Sequence, residues 1–333
     1  MTIPKDLILI SGSLAATPFL TRVSEKLKSL GANVAAVSAG GPPASYPGWA
    51  EVSILVAFGV PCDAATINAG RALRAIIVPS LGFEGVDVDA ATRARVVVAN
   101  GRVWQNIESV AEAAIGLMLL GLYDIRSAER RLRNNTSRMG PPTATMLKGK
   151  KIGIIGFGNI ARAIVQRLDN WGVDFLVNTR KSMVDAGPTV TCVDLETLLC
   201  TSDIVIPLLP LTEETNCLLD RTRLLRIKEG AMLINCSRGG VIDETALADP
   251  LVASRFRCLA LDVFEIEPLP VESPLRDLPN AILTGHEIAH TSENLAALFD
   301  LTVTNVCDAL HGRLPSTALN PQVGMQSRIN AEG

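Results

Sequence analysis

Three segments of the chain carry side chains suited to proton transfer and anion binding, each directly after an apolar run. They are Asn235-Cys236-Ser237-Arg238-Gly239-Gly240-Val241-Ile242-Asp243, Leu261-Asp262-Val263-Phe264-Glu265-Ile266-Glu267-Pro268 and Leu283-Thr284-Gly285-His286. A histidine exchanges protons near neutral pH. A carboxylate beside it favours the imidazolium. An arginine can pair bidentately with a carboxylate and polarise a carbonyl. Taken singly, Arg238 and Glu267 read as a surface ion pair. Placed after successive strands and joined by His286, they read as one reaction site, because ligands of open α/β sheets bind at the carboxyl ends of strands.

His286-Glu287-Ile288-Ala289-His290 is also a literal H-E-x-x-H, and His311 completes the chain's three histidines. On a helix that spacing sets two zinc ligands on one face. Here it follows a strand and Gly285, and the next helix is expected only near Ser292. No metal is therefore expected. Stoichiometric zinc would favour a hydrolase instead.

A second chemical feature lies upstream. The strand Lys151–Ile155 runs straight into Gly156-Phe157-Gly158-Asn159-Ile160-Ala161, and a helix is expected to follow as far as Trp171. Gly156 allows the tight turn, Gly158 lets a pyrophosphate approach the backbone, and Ala161 permits close helix–strand packing. The helix start at Asn159 and Ile160 offers N–H groups to phosphate. A structural glycine turn is the plainer alternative. The next strand ends in Asn178-Thr179-Arg180-Lys181. An NAD site usually has Asp or Glu at this strand end. Thr179 with two adjacent cations suits a 2′-phosphate, so NADP(H) is expected to be preferred, with NAD(H) possible. The alternative is that Arg180 and Lys181 form a solvated strand end.

These residues need sheets to hold them. Strand-length apolar runs at Leu7–Ile10, Asn33–Val37, Val52–Ala57, Leu73–Val78 and Val96–Ala99 alternate with helical patterns at Thr17–Leu30 and Ala64–Arg71. A long apolar helix is read at Ser109–Tyr123, and residues Arg126–Gly149 as an exposed arm. A second series follows, with strands at Lys151–Ile155, Val173–Asn178, Ile204–Leu208, Ala231–Asn235, Leu259–Val263 and Ala281–Thr284, before a last helix through Ala297–Leu310. The pattern is α/β, with two doubly wound parallel-sheet domains. Residues 103–289 are expected to form the nucleotide-binding Rossmann domain. Residues 1–102 with 290–333 are expected to form a flavodoxin-like substrate domain.

With these elements in place the chain resembles the D-isomer-specific 2-hydroxyacid dehydrogenases, which include glyoxylate/hydroxypyruvate reductases and 3-phosphoglycerate dehydrogenases. The resemblance also covers Asn106-Ile107-Glu108-Ser109-Val110-Ala111-Glu112 and Leu209-Pro210-Leu211-Thr212-Glu213-Glu214-Thr215. It implies that Arg238 binds substrate, that His286 is the acid/base and that Glu267 is its carboxylate partner. Glu267 is preferred to Glu265 because the family glutamate directly precedes the proline. Leu209, Pro210, Thr215, Cys236, Ser237, Arg238 and Asp262 match cofactor contacts, Asp262 near the nicotinamide. Backbone N–H groups of the loops at Gly59 and Leu81-Gly82 are expected to help Arg238 hold the substrate carboxylate. Glu84, Gly285 and Glu287 depart from the usual family residues. The resemblance also implies a homodimer formed through the nucleotide domain, here through Val110–Leu122 and the arm after it. A dinucleotide-sensing protein without catalysis is the other reading of the same fold.

Composition agrees with a soluble enzyme. The 333 residues are enough for two cores, 48% are hydrophobic and 20% charged. A formal net charge of −3 gives no reason to expect nucleic acid or an anionic membrane. No apolar run reaches spanning length and the N-terminus lacks a signal-peptide layout, so a cytoplasmic location is expected. The seven cysteines are scattered, without a C-x-x-C pair, and are read as reduced thiols.

Overall fold

The computed structural model describes residues 6–39, 41–137, 140–180, 187 and 189–325. The chain divides into two compact units, Met1–Asn106 with Ser292–Gly333, and Ile107–Thr291.

The first unit carries strands β1 (Leu7–Gly12), β2 (Asn33–Ala39), β3 (Val52–Phe58), β4 (Ala75–Val78) and β5 (Val97–Asn100). All pair in parallel, in the order β2-β1-β3-β4-β5, the flavodoxin-like arrangement. The strands read as unbroken apolar runs because helices cover both faces. Leu9, Leu55, Ile76 and Val98 point into one core, with Ile67 and Ala91 from short helices. Ile8, Ile10, Ile54, Val56 and Ile77 point into the other. That second core also takes Leu20, Val23 and Leu27 from the helix Thr17–Ser29, and Val306 and Leu310 from the helix Ser292–Leu310. Asp63 and Asp87 cap helices Ala64–Ala69 and Val88–Arg93 by accepting backbone N–H bonds at 2.8 Å each. Asn320 closes the sheet edge. Its Oδ1 accepts from Val98 N at 2.8 Å and its Nδ2 donates to Val96 O at 2.9 Å, imitating a neighbouring strand.

The second unit carries β6 (Lys151–Ile155), β7 (Asp174–Asn178), β8 (Val190–Cys192), β9 (Ile204–Pro207), β10 (Met232–Asn235), β11 (Cys258–Leu261) and β12 (Ala281–Leu283). They form one parallel sheet in the order β12-β11-β10-β9-β6-β7-β8. The chain reverses direction across the sheet between β6 and β9, which is where a Rossmann sheet opens to its ligand. One face is covered by the helix Trp104–Leu122, through Ala111, Ala114, Leu117 and Met118, and by the helix Asn159–Arg167. The other face packs Leu198, Leu224 and Leu247 against Val205, Leu233 and Leu259.

Three local readings need correction. The long helix starts at Trp104, five residues before Ser109, so the segment Asn106–Ser109 is already helical. The exposed arm begins with a helix, Ile125–Arg133, which buries no residue. Its residues are mostly good helix formers without Gly or Pro, and Arg133 pairs with Glu129 one turn back at 2.6 Å. Strand β8 lacks an apolar run because it is a partly exposed edge strand. Among the described residues, no single helix is long and apolar enough to cross a membrane.

Candidate active site

The glycine turn sits at the point where the sheet order reverses. Gly156 has φ +94°, and a Cβ there would lie 2.6 Å from the carbonyl oxygen of Leu208, at the end of the adjacent β9. Only glycine fits. Its N–H donates to Asn178 O at 2.8 Å, tying the turn to the end of β7. Gly158 is the N-cap of the helix Asn159–Arg167 and gives it no side-chain cap. Among the described residues, a Cβ at Gly158 would meet nothing within 4 Å. The first intrahelical bond is donated by Arg162 to Gly158 O. The N–H groups of Asn159 and Ile160 therefore have no acceptor within the helix, and the dipole there favours an anion. An open glycine beside an uncapped helix start fits a dinucleotide pyrophosphate. Ala161 is fully buried against the sheet.

Thr179 and Arg180 follow β7 directly. Arg180 pairs with Glu214, and both side chains are largely exposed. Lys181 lies outside the described residues. On the β9 side, Leu209 and Pro210 begin a loop that Thr215 closes on itself. The Thr215 hydroxyl donates to Pro210 O at 2.7 Å and accepts from Thr212 N at 2.8 Å.

The turn after β10 is organised by Asn235. Its Oδ1 accepts from the N–H and hydroxyl of Ser237 at 3.1 and 2.9 Å, and its Nδ2 donates to Arg238 O at 2.9 Å. Arg238 in turn donates from Nη1 to Ser237 O at 2.6 Å. Burial pushes the Cys236 thiol up to about 12, with the negative charge of Asp262 adding to the effect. Cys236 is thus a thiol at neutral pH.

Asp262, buried at 3% exposure, follows β11 and organises the His286 turn. Its Oδ1 accepts from the Thr284 hydroxyl at 2.7 Å and from the N–H groups of Glu287 and Ile288 at 3.1 and 3.3 Å. Its carbonyl accepts from His286 N at 2.6 Å. These bonds hold His286 at φ +56°, a backbone conformation that a histidine rarely adopts. The imidazole Nδ1 then lies 2.7 Å from Glu267 Oε2. The other oxygen of Glu267 accepts from Phe264 N at 3.0 Å.

The electrostatics follow from that geometry. The hydrogen bond to Glu267 raises His286 above the ordinary imidazole value, against the opposing effect of burial. Burial alone would raise Glu267. Bonds from His286 and the Phe264 N–H, with the charges of His286 and Arg238, outweigh it and hold the carboxylate below its usual range. An ionised carboxylate only accepts, so Nδ1 carries the hydrogen and Nε2 remains as the exchangeable position.

Arg238, Asp262, Glu267 and His286 therefore belong to one constellation within the second unit. Gly59, Leu81 and Gly82 belong to the first unit, at the carboxyl ends of its strands. Gly59 follows β3 with φ +67°. After β4, Leu81 O accepts from Asn100 Nδ2 at 2.8 Å and Gly82 O from the Ser80 hydroxyl at 2.7 Å. The H-E-x-x-H residues are not helical, so the zinc geometry that the pattern needs is not formed. Sequence reading missed Asn235 and Thr284, which act by holding Arg238 and Asp262. Their signal was a polar residue at a strand end, which is also common in ordinary turns.

Residues 115–287 match the NAD binding domain of the D-isomer specific 2-hydroxyacid dehydrogenases. The chain is 33% identical to glyoxylate/hydroxypyruvate reductase B of Pectobacterium atrosepticum, over 85% of this chain and 90% of that protein. It is 34% identical to D-3-phosphoglycerate dehydrogenase of Mycobacterium tuberculosis, over 72% of this chain and 46% of that protein. Its fold resembles the crystal structure of the TT0316 protein of Thermus thermophilus, with a TM-score of 0.82 and 26% identity, over 94% of this chain and 99% of that one. Fold and comparisons together define an NAD-dependent oxidoreductase acting on a small 2-hydroxy or 2-keto acid. The chain belongs to the D-isomer specific 2-hydroxyacid dehydrogenase family.

Proposed function

We propose that the protein is a glyoxylate/hydroxypyruvate-type 2-keto acid reductase that prefers NADP(H), with His286 as acid/base, Glu267 as its partner and Arg238 as the substrate-binding cation. The observation that carries this reading is the 2.7 Å bond between His286 Nδ1 and Glu267 Oε2. It fixes the imidazole tautomer and raises its proton affinity. Nε2–H of the protonated ring is then available to a developing alkoxide above the ordinary imidazole value. Bound at the Gly156-Gly158 turn, the dinucleotide supplies the hydride. Arg238 pairs with the substrate carboxylate and polarises the carbonyl. In the reverse direction neutral His286 takes the proton of the hydroxy acid.

The NADP(H) preference is supported by the lack of a carboxylate within Asn178-Thr179-Arg180 and by the Arg180 guanidinium after β7, whose exposed pairing with Glu214 a 2′-phosphate could replace. A homodimer through the second unit is supported by the helix Ile125–Arg133, none of whose residues is buried, and by Leu132, 82% exposed. The mycobacterial relative supports the alternative reading, a 3-phosphoglycerate dehydrogenase, and the match spans 46% of that protein.

Initial rates with a panel of 2-keto acids and both reduced cofactors test the proposal. Higher kcat/KM for glyoxylate or hydroxypyruvate with NADPH supports it. A clear NADH preference removes the cofactor reading. Turnover confined to 3-phosphoglycerate and its oxidised product removes the substrate reading.

A further inference from the structure

Glu244 and Glu265, outside the roles described above, hold each other reciprocally. Glu244 opens the short helix that follows the Arg238 turn, and Glu265 lies in the loop that ends at Glu267. The N–H of Glu265 donates to Glu244 Oε1 at 2.6 Å, and the N–H of Glu244 donates to Glu265 Oε1 at 3.1 Å. Close by, a Cβ on Gly239 would lie 1.9 Å from the carbonyl carbon of Phe264 and 2.4 Å from the nitrogen of Glu265. The backbone after Arg238 is thus stacked directly on the backbone that leads to Glu267. Phe264, at the centre of that contact, gives its N–H to Glu267 Oε1 at 3.0 Å.

We infer that Glu244 and Glu265 are positioning residues that lock the Arg238 turn onto the Glu267 loop and so hold the Glu267 carboxylate against His286. The inference rests on the proposed roles of Arg238, Glu267 and His286. Two hydrogen bonds crossing between the same two loops restrain both backbones at one point. Glycine at 239 only permits the two backbones to approach and does not hold them together. Without the clasp the Phe264 N–H and Glu267 are free to drift, and the 2.7 Å bond to Nδ1 lengthens.

The chain has only His286, His290 and His311, so each imidazole can be followed by NMR in histidine-labelled protein. The charges acting on His286 are Glu267, Asp262 and Arg238, and those acting on Glu244 are Glu265 and Glu267. Glu244→Ala is expected to lower the His286 titration midpoint by about half a unit or more and kcat by about tenfold. NADH affinity is expected to change less than about twofold, since the phosphate site lies at another turn. Glu244→Gln keeps an acceptor oxygen without the charge and should restore both values. An unchanged midpoint in Glu244→Ala overturns the inference. Equal losses in Ala and Gln also overturn it, because they would report charge and not the clasp. If Glu244→Ala does not fold, Glu265→Ala opens the same clasp from its other side and is judged by the same readouts. The catalytic reading fails separately, through an active His286→Ala enzyme.

Discussion

The backbone N–H of His286 donates to the carbonyl of Asp262 at 2.6 Å, and the carboxylate of the same aspartate accepts bonds from Thr284, Glu287 and Ile288 around it. One buried side chain therefore sets a histidine's unusual backbone conformation. Replacing Asp262 by Ala leaves two backbone N–H groups and a hydroxyl without their acceptor. The expected loss is about 1–3 kcal/mol of stability, read by urea unfolding, together with a large fall in kcat. A fully active Asp262→Ala enzyme of unchanged stability would contradict this role.

The His286–Glu267 bond has a defined signature in pH. Because His286 is raised, its protonated form persists above the ordinary imidazole value of about 6.5. Keto acid reduction should hold through the ordinary imidazole value and fall only as pH rises through that higher one. Hydroxy acid oxidation, which needs neutral His286, should rise over the same interval. Glu267 is held below its usual range, so the pair should survive acidification past about pH 4.3, the ordinary glutamate value. Glu267→Gln should move the reduction limb to lower pH. A limb unmoved by that substitution would show that Glu267 does not govern the titrating group.

The two turn glycines should respond in opposite ways. Gly156→Ala meets Leu208 O at a positive φ and should reduce stability by about 1–3 kcal/mol. Gly158→Ala places its methyl in open space, so its melting temperature should match the parent. Its KM for dinucleotide should nevertheless rise several-fold, because the methyl occupies the approach of the pyrophosphate. Unaltered cofactor KM in Gly158→Ala would argue against phosphate at this turn.

The assembly can be tested at Leu132, exposed on a helix with no buried residue. Leu132→Glu should shift a dimer toward monomer in sedimentation velocity while leaving the fold intact by circular dichroism. A monomeric parent protein would refute the dimer directly.

Much of this architecture is legible in the amino-acid order. The βα alternation and the strand-to-helix placement of Gly156 depend on local periodicity and turn chemistry, which a sequence displays directly. Arg238, Glu267 and His286 could be grouped because each follows an apolar strand, and strand ends of a parallel sheet converge. The His286–Glu267 bond itself joins residues nineteen positions apart and depends on the pairing of β11 with β12. Asn235, Thr284 and the Glu244–Glu265 clasp were not legible, because their work is a hydrogen bond across loops with no repeating pattern. Edge strand β8 and the helix Ile125–Arg133 escaped for a related reason: neither buries a continuous apolar face from which to read a period.

The most direct test of the central claim is single-turnover reduction of glyoxylate or hydroxypyruvate by His286→Ala, with dinucleotide affinity measured on the same protein. The rate is expected to fall by about a hundredfold to ten-thousandfold, with NADPH and NADH affinities nearly unchanged. A His286→Ala enzyme that reduces the keto acid at the parent rate would contradict the assignment of His286 as the acid/base.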